Sequence, residues 1–529
     1  MHPRSTDSHD TQVLIVGAGP TGLVLALWLT RLGISVRIID KAADAGTTSR
    51  ALAVQSRTLE FYRQIGLADA VVDAGVTIAG INLWVRGRKA ARVPFREIGA
   101  GLSPFPSALV FPQDAHEQLL IERLQALGVT VERQTELLRF EQSAAGVHAT
   151  LRQSDGAEVA SHAAWLAGCD GARSIVREVL GLVFPGGTYT QRFYVADVDA
   201  EGPVTDHELH IDLDDADFLA VFPLKGAGRV RLVGTVREPA HDEGKDEDEL
   251  TFDDVSPRAI AQLKLGIARV NWFSTYRVHH RVAPSFRHGR AFLLGDAAHI
   301  HSPAGGQGMN TGIGDAVNLA WKLAAVLNGL AGDNLLDTYE VERIRFARRL
   351  VATTDRGFTL ATSDGALARQ VRTRLVPLIA PLLFRWPPLR RFLFRTMSQI
   401  GINYRHSTLS AGRAGAVHGG DRLPWVRTTA GHDNFDPLES LAWQVHVYGE
   451  ARAELTAACV EYRLPLHVFA WSADMPRAGF KCNALYLIRP DGYIALAVAD
   501  GDPQRLRDYL LTRYGDNNPE SSNRPDGNR

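Results

Sequence analysis

The sequence is poor in cysteine, and its charges are nearly balanced. Its 529 residues include 58 lysines and arginines against 59 aspartates and glutamates, a formal net charge of -1, which gives no electrostatic reason to expect a nucleic-acid partner. The three cysteines, Cys169, Cys459 and Cys482, are too few and too scattered for a disulfide framework or a CxxC pair. We therefore interpret them as packed thiols, and we predict no metal site.

Long apolar runs are also missing. The stretch TGLVLALWLTRLG is broken by Arg31, and LVPLIAPLLFRWPPLRRFLFR by prolines and arginines, so neither has the roughly 20 apolar residues that span a bilayer. The second stretch could lie on a membrane surface. Its prolines would interrupt a long amphipathic face, however, and we favour a helical cover over a large domain. The N-terminal MHPRSTDSHDTQ lacks the basic start and apolar core of a secretory signal, so we expect a cytoplasmic protein.

The first motif is a complete βαβ unit with a glycine-rich turn. In QVLIVGAGPTGLVLALWLTRLGISVRIIDK, a strand at 13–16 leads through three glycines into a helix and then into a second strand that ends at Asp40. Such a turn lets the backbone approach a pyrophosphate at a helix N-terminus, and the acid after the second strand can bind an adenosine ribose. We predict a site for a dinucleotide, FAD or NAD, that comprises Gly17, Ala18, Gly19, Pro20, Thr21, Gly22, Asp40 and Lys41.

Glycines also crowd a second strand-to-helix junction, GDAAHIHSPAGGQGMNTGIGDAVNLAWKLA at 295–324. The preceding AFLLG has the pattern of a buried strand, and AVNLAWKLAAVL has the apolar spacing of a helix. Asp296 stands at the carboxyl end of that strand, where a doubly wound sheet places its ligands. The glycines after it bring bare amides to a helix start, which suits an electron-rich group. An N-cap and ordinary turns are the alternative, but together with the βαβ unit the junction favours FAD.

The rest of the chain divides into further units. Between 186 and 282, segments such as FLAVFPL and RVRLVGTVRE are apolar and β-branched, which predicts an antiparallel sheet inserted into an α/β domain. After GDRLP the patterns follow the order strand, helix, strand, hairpin, helix. We therefore predict an α/β fold: a doubly wound FAD-binding domain over 11–185 and 283–400, the second part with bracing helices, an inserted antiparallel sheet over 186–282, and a C-terminal domain over 410–515.

These motifs together resemble a known family, the single-component FAD-dependent aromatic hydroxylases, or class A flavoprotein monooxygenases. The resemblance rests on the βαβ unit, on GCDGARSIVRE at 168–178 and on the junction at 295–324, with SRALAVQSRTLEFYRQIGL and FPQDAHEQLLIERL as further flavin-contacting segments. The βαβ-ββα order after residue 410 resembles the thioredoxin-like domain of the phenol and polyketide hydroxylase branch. Because it lacks a CxxC pair, we expect that domain to be structural, or to form homodimer contacts, rather than to be redox-active.

The resemblance assigns cofactor contacts to individual residues. The residues expected at FAD, beyond the βαβ unit, are Arg50, Gln113, Asp170, Asp296, Pro303, Gly308, Met309 and Asn310. Asp296 would bind the ribityl chain or the pyrophosphate, and the backbone of 308–310 would face the isoalloxazine ring, where amides at a helix start stabilise a reduced flavin. Asp170 would belong, with Arg173 and Arg177, to a motif linked to both FAD and the nicotinamide cofactor.

The resemblance also implies an activity. The chain would be an FAD-dependent monooxygenase that takes electrons from NADPH or NADH and uses dioxygen to hydroxylate a phenolic or related aromatic substrate, through a flavin C4a-hydroperoxide. The alternatives are a polyketide or antibiotic substrate, a flavin reductase or dehydrogenase without oxygen insertion, and a non-catalytic flavin-binding protein. Phenol hydroxylases carry an Asp where this chain has Leu52, so the resemblance supplies no carboxylate base at this position, and the catalytic residues stay unassigned. The resemblance also implies that the inserted sheet over 186–282 is the substrate-binding sheet. Candidates for the substrate pocket are His210, Asp212, Tyr276 and Tyr404.

Overall fold

The structure, a computed structural model, describes residues 10–46, 51–94, 98–213, 218–236, 250–302, 306–362, 370–383, 386–429 and 431–514. Arg50 and Pro303, two of the residues expected to contact FAD, lie outside these stretches. Within them, no helix is long and apolar enough to cross a bilayer, and no three His, Cys, Asp or Glu side chains are grouped as a metal site would need.

A mostly parallel sheet forms the centre of the first domain. Its five parallel strands lie side by side in the order Ala291–Leu293, Glu158–Gly168, Thr11–Val16, Val36–Ile39 and Val131–Glu132. The strand pair Glu136–Gln142 and Val147–Arg152 branches from Glu158–Gly168 through antiparallel pairing. Arg287–His288 forms the edge of the sheet beside Ala291–Leu293. Thr11–Val16 is almost wholly buried, which explains its unbroken apolar sequence, because strands covered on both faces do not alternate.

Helices cover this sheet. The helices of the first domain are Pro20–Arg31, Ser56–Gln64, Ala68–Ala74, Gln113–Ala126, Ile175–Val179, Gly308–Leu327 and Asn334–Thr362. The two that follow the glycine-rich junctions, Pro20–Arg31 and Gly308–Leu327, pack against each other. Both are buried over most of their length, so their apolar residues surround the helix instead of forming one stripe. A small sheet of Ala53–Val54, Leu109–Val110 and Val76–Thr77 lies beside them.

The inserted sheet has eight strands. Those from the predicted insert are Gly186–Glu201, Leu209–Asp212, Leu219–Pro223, Arg229–Val236 and Gly266–Val282, with helix Pro257–Gln262 after the 3-10 turn Phe252–Asp254. Two earlier strands, Gly80–Val85 and Arg88–Pro94, join one edge through a parallel pairing with Leu209–Asp212. His299–Ile300 joins the other edge. The sheet is thus built from three separate parts of the chain. The predicted insert over 186–282 did not include the strands at its two edges.

A helical pair leads to the C-terminal unit. It consists of the π-helical turn Val371–Leu375, which continues into Val376–Leu383, and of Pro387–Met397. The C-terminal sheet has the strand order Val417–His418, Ala411–Ala414, Ile494–Val498, Leu485–Ile488, Gln444–Tyr448 and Leu466–Phe469. Its helices are Ala453–Glu461, Asp474–Ala478 and Pro503–Tyr514. They are preceded by the strand pair Arg427–Thr429 and His432–Asp433 and by the 3-10 helix Asp436–Ser440. The predicted strand, helix, strand, hairpin and helix occur in that order, whereas the strand pair at 427–433, the 3-10 helix and Asp474–Ala478 were not predicted. The thioredoxin-like character of the unit stays a prediction.

Candidate active site

The glycine-rich turn after the first strand packs against the second motif. Gly17 has a φ of +103°, and a Cβ atom on it would lie 2.4 Å from the carbonyl oxygen of Cys169. A Cβ atom on Gly22 would lie 2.0 Å from the oxygen of Gly17, so the helix starts directly on the turn. At Gly19, by contrast, a Cβ atom would meet nothing within 4 Å. Packing therefore fixes two of the glycines, and the third leaves one side of the turn open to a ligand.

The third motif contacts both of the others. The Oγ1 atom of Thr21 lies between Gly295 and Gly312, where Cβ atoms would approach it to 2.7 and 2.3 Å. Arg177 of the second motif donates from Nη1 to the oxygen of Ala297 at 2.9 Å. Glycine is required at these two positions because the starts of two helices meet there. Three motifs that are far apart in the sequence form one cluster at the carboxyl ends of the parallel strands.

Both helices in this cluster begin without a side-chain cap. Pro20–Arg31 follows Gly19, Gly308–Leu327 follows Gln307, and neither has a capping hydrogen bond or an acidic residue in its first turn. Amides in the first turn of a helix have no partner within the helix, and the helix dipole makes them attractive to anions. The first helix start suits a pyrophosphate, and the second, with the amides of 308–310, suits the negative ring of a reduced flavin.

Asp40 shapes the glycine-rich turn from the end of the second strand. Its carboxylate accepts hydrogen bonds from the amides of Ala18 at 2.7 Å and Ala42 at 2.8 Å. Arg133 lies 3.8 Å away, and Lys41 is exposed beside it. Asp40 thus holds the turn in place as well as standing at the position expected for the ribose.

The other two acids differ in their surroundings. Asp170 accepts the amide of Val176 at 3.1 Å through Oδ2, whereas its Oδ1 is buried and has no partner among the described residues. Burial raises the pKa of this carboxyl group. Asp296 is exposed on the 3-10 turn Gly295–Ala297. A buried acceptor without a partner is the kind of atom that a bound cofactor satisfies.

Gln113 and Asn310 hold the segment 51–58 against the helix starts. Gln113 accepts the amide of Ala51 at 3.2 Å. Asn310 is buried, accepts the amide of Gln55 at 2.8 Å, and donates to backbone oxygens on both sides. The side chain of Asn310 is therefore used to position neighbouring chain, which leaves its backbone for the cofactor, and Met309 beside it is half-buried.

Asp315 is a buried acid that the sequence analysis did not single out. It accepts the amide of Gly295 at 3.0 Å, lies 2.8 Å from Nε2 of His299, and accepts from Nε of Arg343 at 2.6 Å. Burial raises its pKa, but Arg343 and then His299 lower it by more, and the pKa lies below its usual value. Asp315 therefore fixes the turn that carries Asp296. The signal was a lone acid within the apolar helix TGIGDAVNLAWKLA, which must be paired when buried.

One face of the inserted sheet packs against Leu52 and Val110, which lie in or beside the segments expected to contact FAD. Tyr276 and Phe193 are paired in register, with ring centres 5.8 Å apart. Phe218 and Tyr276 both pack against the buried pair of Phe193 and Val278, and Phe218 also packs against the apolar cluster around Leu52 and Val110. We term this the Leu52 face. It forms an aromatic wall beside the segment expected to contact the flavin.

His210 and Asp212 lie on the opposite face of this sheet. His210 is paired with Val221 in register, and its Nδ1 accepts from Nε1 of Trp84 at 2.9 Å. Val221 and Trp84 belong to the core around helix Pro257–Gln262, and Asp212 shares this side because strand residues alternate. The structure therefore separates these two candidates from Tyr276.

Tyr404 lies in a buried polar cluster between the FAD domain and the C-terminal unit. Its hydroxyl accepts from Arg343 at 2.9 Å, and burial raises its pKa. Beside it, Glu342 accepts from Arg489 at 2.8 and 3.0 Å and from Lys322 at 2.9 Å, and all three of these side chains are fully buried. The cluster ties the C-terminal hairpin to the FAD domain, and Tyr404 belongs to that junction.

Comparisons with known proteins agree with this arrangement. A family model described as "FAD binding domain" matches residues 10–354. The 6-methylpretetramide 4-monooxygenase of Streptomyces rimosus is 39% identical over 422 residues, which cover 77% of this chain and 73% of the relative. Pentachlorophenol 4-monooxygenase of Sphingobium chlorophenolicum is 32% identical over 422 residues, which cover 79% and 76%. The solved structure of the OxyS anhydrotetracycline hydroxylase from Streptomyces rimosus has a TM-score of 0.74 at 30% identity and covers 96% of this chain and 99% of its own.

The match spans all three motifs, and the structural likeness spans nearly the whole chain. Both confirm the family that the motifs predict and the α/β fold with its inserted sheet. The chain therefore belongs to the FAD-dependent aromatic monooxygenases, which draw electrons from NADPH or NADH.

Proposed function

We propose that this enzyme hydroxylates an electron-rich phenolic ring within a polycyclic substrate. The observation that supports this is the Leu52 face, where Phe193, Phe218 and Tyr276 form an aromatic wall beside the flavin-contacting segment. Aromatic walls bind flat ring systems through buried apolar area and ring contacts. The relatives named for 6-methylpretetramide and anhydrotetracycline add support for a polycyclic substrate.

We propose that FAD is held by the three motifs. When bound, it accepts electrons from the nicotinamide cofactor and delivers one atom of dioxygen. The turn 17–22 would hold the pyrophosphate, Asp40 the ribose, and the start of helix Gly308–Leu327 the flavin ring. The uncapped helix starts and the partnerless Oδ1 of Asp170 fit this cofactor. The aromatic wall would keep water from the reacting atoms.

The chemistry of the wall favours a phenol that ionises readily. Leu52 is apolar, and the carboxylate of Asp197, on the same face, accepts two hydrogen bonds from Arg231 at 2.5 and 2.7 Å. An acid held in this way is poorly placed to remove a proton from the substrate. A phenol conjugated to a carbonyl in a polycyclic system is more acidic than a simple phenol and needs less help from a base. His210, Asp212 and Tyr404 are left out of this pocket.

Product identification tests the proposal. The FAD-loaded enzyme should oxidise NADPH or NADH slowly alone and faster with a polycyclic phenol such as anhydrotetracycline, and labelled dioxygen should place its label in the new hydroxyl group. Tyr276→Ala should raise KM for this substrate about tenfold through lost contact area, whereas Thr275→Ala, the neighbour on the opposite face, should leave KM unchanged. Label from water, or turnover of monocyclic phenols alone, would contradict the proposal.

We also propose a cytoplasmic location. The reaction consumes NADPH or NADH, and these cofactors are regenerated by metabolism in the cytoplasm. Fractionation of the producing cells should recover substrate-stimulated oxidation of the nicotinamide inside the cell. Activity recovered only from the medium would contradict this location.

A further inference from the structure

The helical pair after the FAD domain exposes apolar side chains. Of the sixteen large apolar side chains that are exposed in the described part of the chain, six lie within eighteen consecutive residues: Leu375, Leu378, Leu382, Leu383, Trp386 and Phe392. Scattered exposed apolar residues need no explanation, but a concentration of them marks a docking surface. We term these six residues, with the helices that carry them, the 375–392 surface.

The exposed residues form a stripe along the first helix. Leu375, Leu378 and Leu382 follow the spacing i, i+3, i+7, which places them on one side of a helix, and they are 47, 70 and 62% exposed. No residue of Val376–Leu383 is buried. The second helix is anchored by Phe394, which is 2% exposed and packs in the core beside the inserted sheet. The second helix is therefore attached through Phe394 and the first through its contacts with strand Arg88–Pro94, while the stripe faces solvent.

The charge on this surface is entirely positive. The sequence has no Asp or Glu between Asp364 and Asp421. Arg374, Arg391 and Arg395 are exposed, and none of the three forms an ion pair within the part of the chain that the structure describes. Burial and then the neighbouring cations Arg422 and Arg391 lower the pKa of Arg395 by more than Asp421 raises it. The surface thus combines exposed apolar groups with three arginines that form no ion pair with any described residue.

We propose that the 375–392 surface docks onto lipid bilayers that contain anionic lipids. Helices that lie in the headgroup region insert their apolar side chains at the acyl boundary and keep their arginines among the lipid phosphates. Trp386 lies between the two helices and is 60% exposed, and tryptophan is enriched at this depth of a membrane. The helices lie on the bilayer and do not span it.

A second copy of this chain fits the surface less well. In a two-fold dimer the same patch meets itself, so Arg374, Arg391 and Arg395 of each copy would face those of the other. The sequence around them offers no carboxylate to pair with these arginines, and like charges across an interface are costly. Anionic lipids supply the missing negative charge.

Sedimentation of the FAD-loaded full chain with vesicles tests the proposal. We expect the protein to sediment with vesicles of equal parts phosphatidylcholine and phosphatidylglycerol, and to stay in solution with phosphatidylcholine alone. The pair Arg374→Gln/Arg391→Gln should weaken binding about 20- to 30-fold, as expected for two arginines near an anionic surface. The control pair Arg123→Gln/Arg505→Gln removes the same charge at exposed positions elsewhere and should change binding less than about twofold.

A second pair of variants tests the apolar part. Leu382→Ser/Trp386→Ser should also weaken vesicle binding, whereas Leu127→Ser/Leu511→Ser, at positions 40 and 59% exposed, should not. Unchanged FAD content shows that each variant is folded. The proposal is overturned if the chain ignores anionic vesicles, or if the control pairs weaken binding as much as the test pairs. It is also overturned if light scattering without lipid shows a dimer that Leu382→Ser/Trp386→Ser dissociates.

Discussion

Replacing Asp315 by Asn should strongly destabilise the FAD domain. The carboxylate is 1% exposed, and its partners include the amide of Gly295 and the guanidinium of Arg343, which is itself 1% exposed. The amide side chain keeps the size of Asp315 but loses its charge, so Arg343 becomes a buried cation that has lost its ion pair with Asp315. Removal of one member of a buried ion pair costs about 3 to 5 kcal/mol of the free energy of unfolding. Because Asp315 also holds the Gly295 turn, FAD occupancy should fall with stability.

Urea denaturation followed by tryptophan fluorescence measures this loss. The control Asp337→Asn breaks an ion pair with Arg287 of similar length, 2.7 Å, but Asp337 is 70% exposed, so it should cost about 0 to 1 kcal/mol. The double variant Asp315→Asn/Arg343→Met removes the stranded cation and should recover part of the stability. The reasoning is refuted if Asp315→Asn costs no more than Asp337→Asn, or if the double variant shows no recovery.

Three further outcomes are expected. Asp296→Ala should weaken FAD binding by about 1.5 to 3 kcal/mol through loss of a charge-assisted acceptor, and an unchanged Kd in titrations of the apoprotein would show that Asp296 is not at the cofactor. Burial lowers the pKa of His116 from 6.5 to about 3, so only the unfolded chain takes up this proton between those values. The contribution of His116 to the free energy of unfolding is therefore complete above pH 6.5 and should fall by about 2 kcal/mol at pH 5. His116→Gln should remove this part of the loss of stability in acid. An equal dependence of the free energy of unfolding on pH in both proteins would contradict this. Replacing Cys459, whose pKa burial raises to about 11, and the exposed Cys482 by Ser should leave turnover intact, and a selective loss with FAD content preserved would mean that these thiols are redox-active.

The cofactor motifs could be predicted because each is local. In the turn 17–22, backbone conformation and close packing demand glycine within a few residues, so the sequence carries the signal. The inserted sheet is different, because Gly80–Val85 pairs with Leu209–Asp212 over a long distance in the sequence. Alternation predicts that His210 and Asp212 share one face. It cannot tell which face meets the cofactor, since that depends on how the sheet docks on the FAD domain.

Asp315 and Tyr404 illustrate a second limit. A buried acid in an apolar helix requires a partner, but the sequence does not say that the partner is Arg343 or that His299 joins it. Tyr404 resembles a pocket residue because it is a tyrosine near the end of the FAD domain. Its position at the junction depends on the docking of the C-terminal unit, which no local pattern encodes.

The buried cluster around Glu342 also bears on how the protein is made. Its partner Arg489 and the nearby Asp491, which accepts from Arg57 at 2.7 Å through its backbone oxygen, leave the ribosome after the whole of the segment 10–354. Until they emerge, Glu342 lacks Arg489, one of the two cations that pair with it in the native chain; the other is Lys322. Residues 10–354, which carry the cofactor motifs, therefore complete their interior only after the C-terminal hairpin has been translated, and a fragment that ends at residue 354 should not mature as a free-standing flavoprotein.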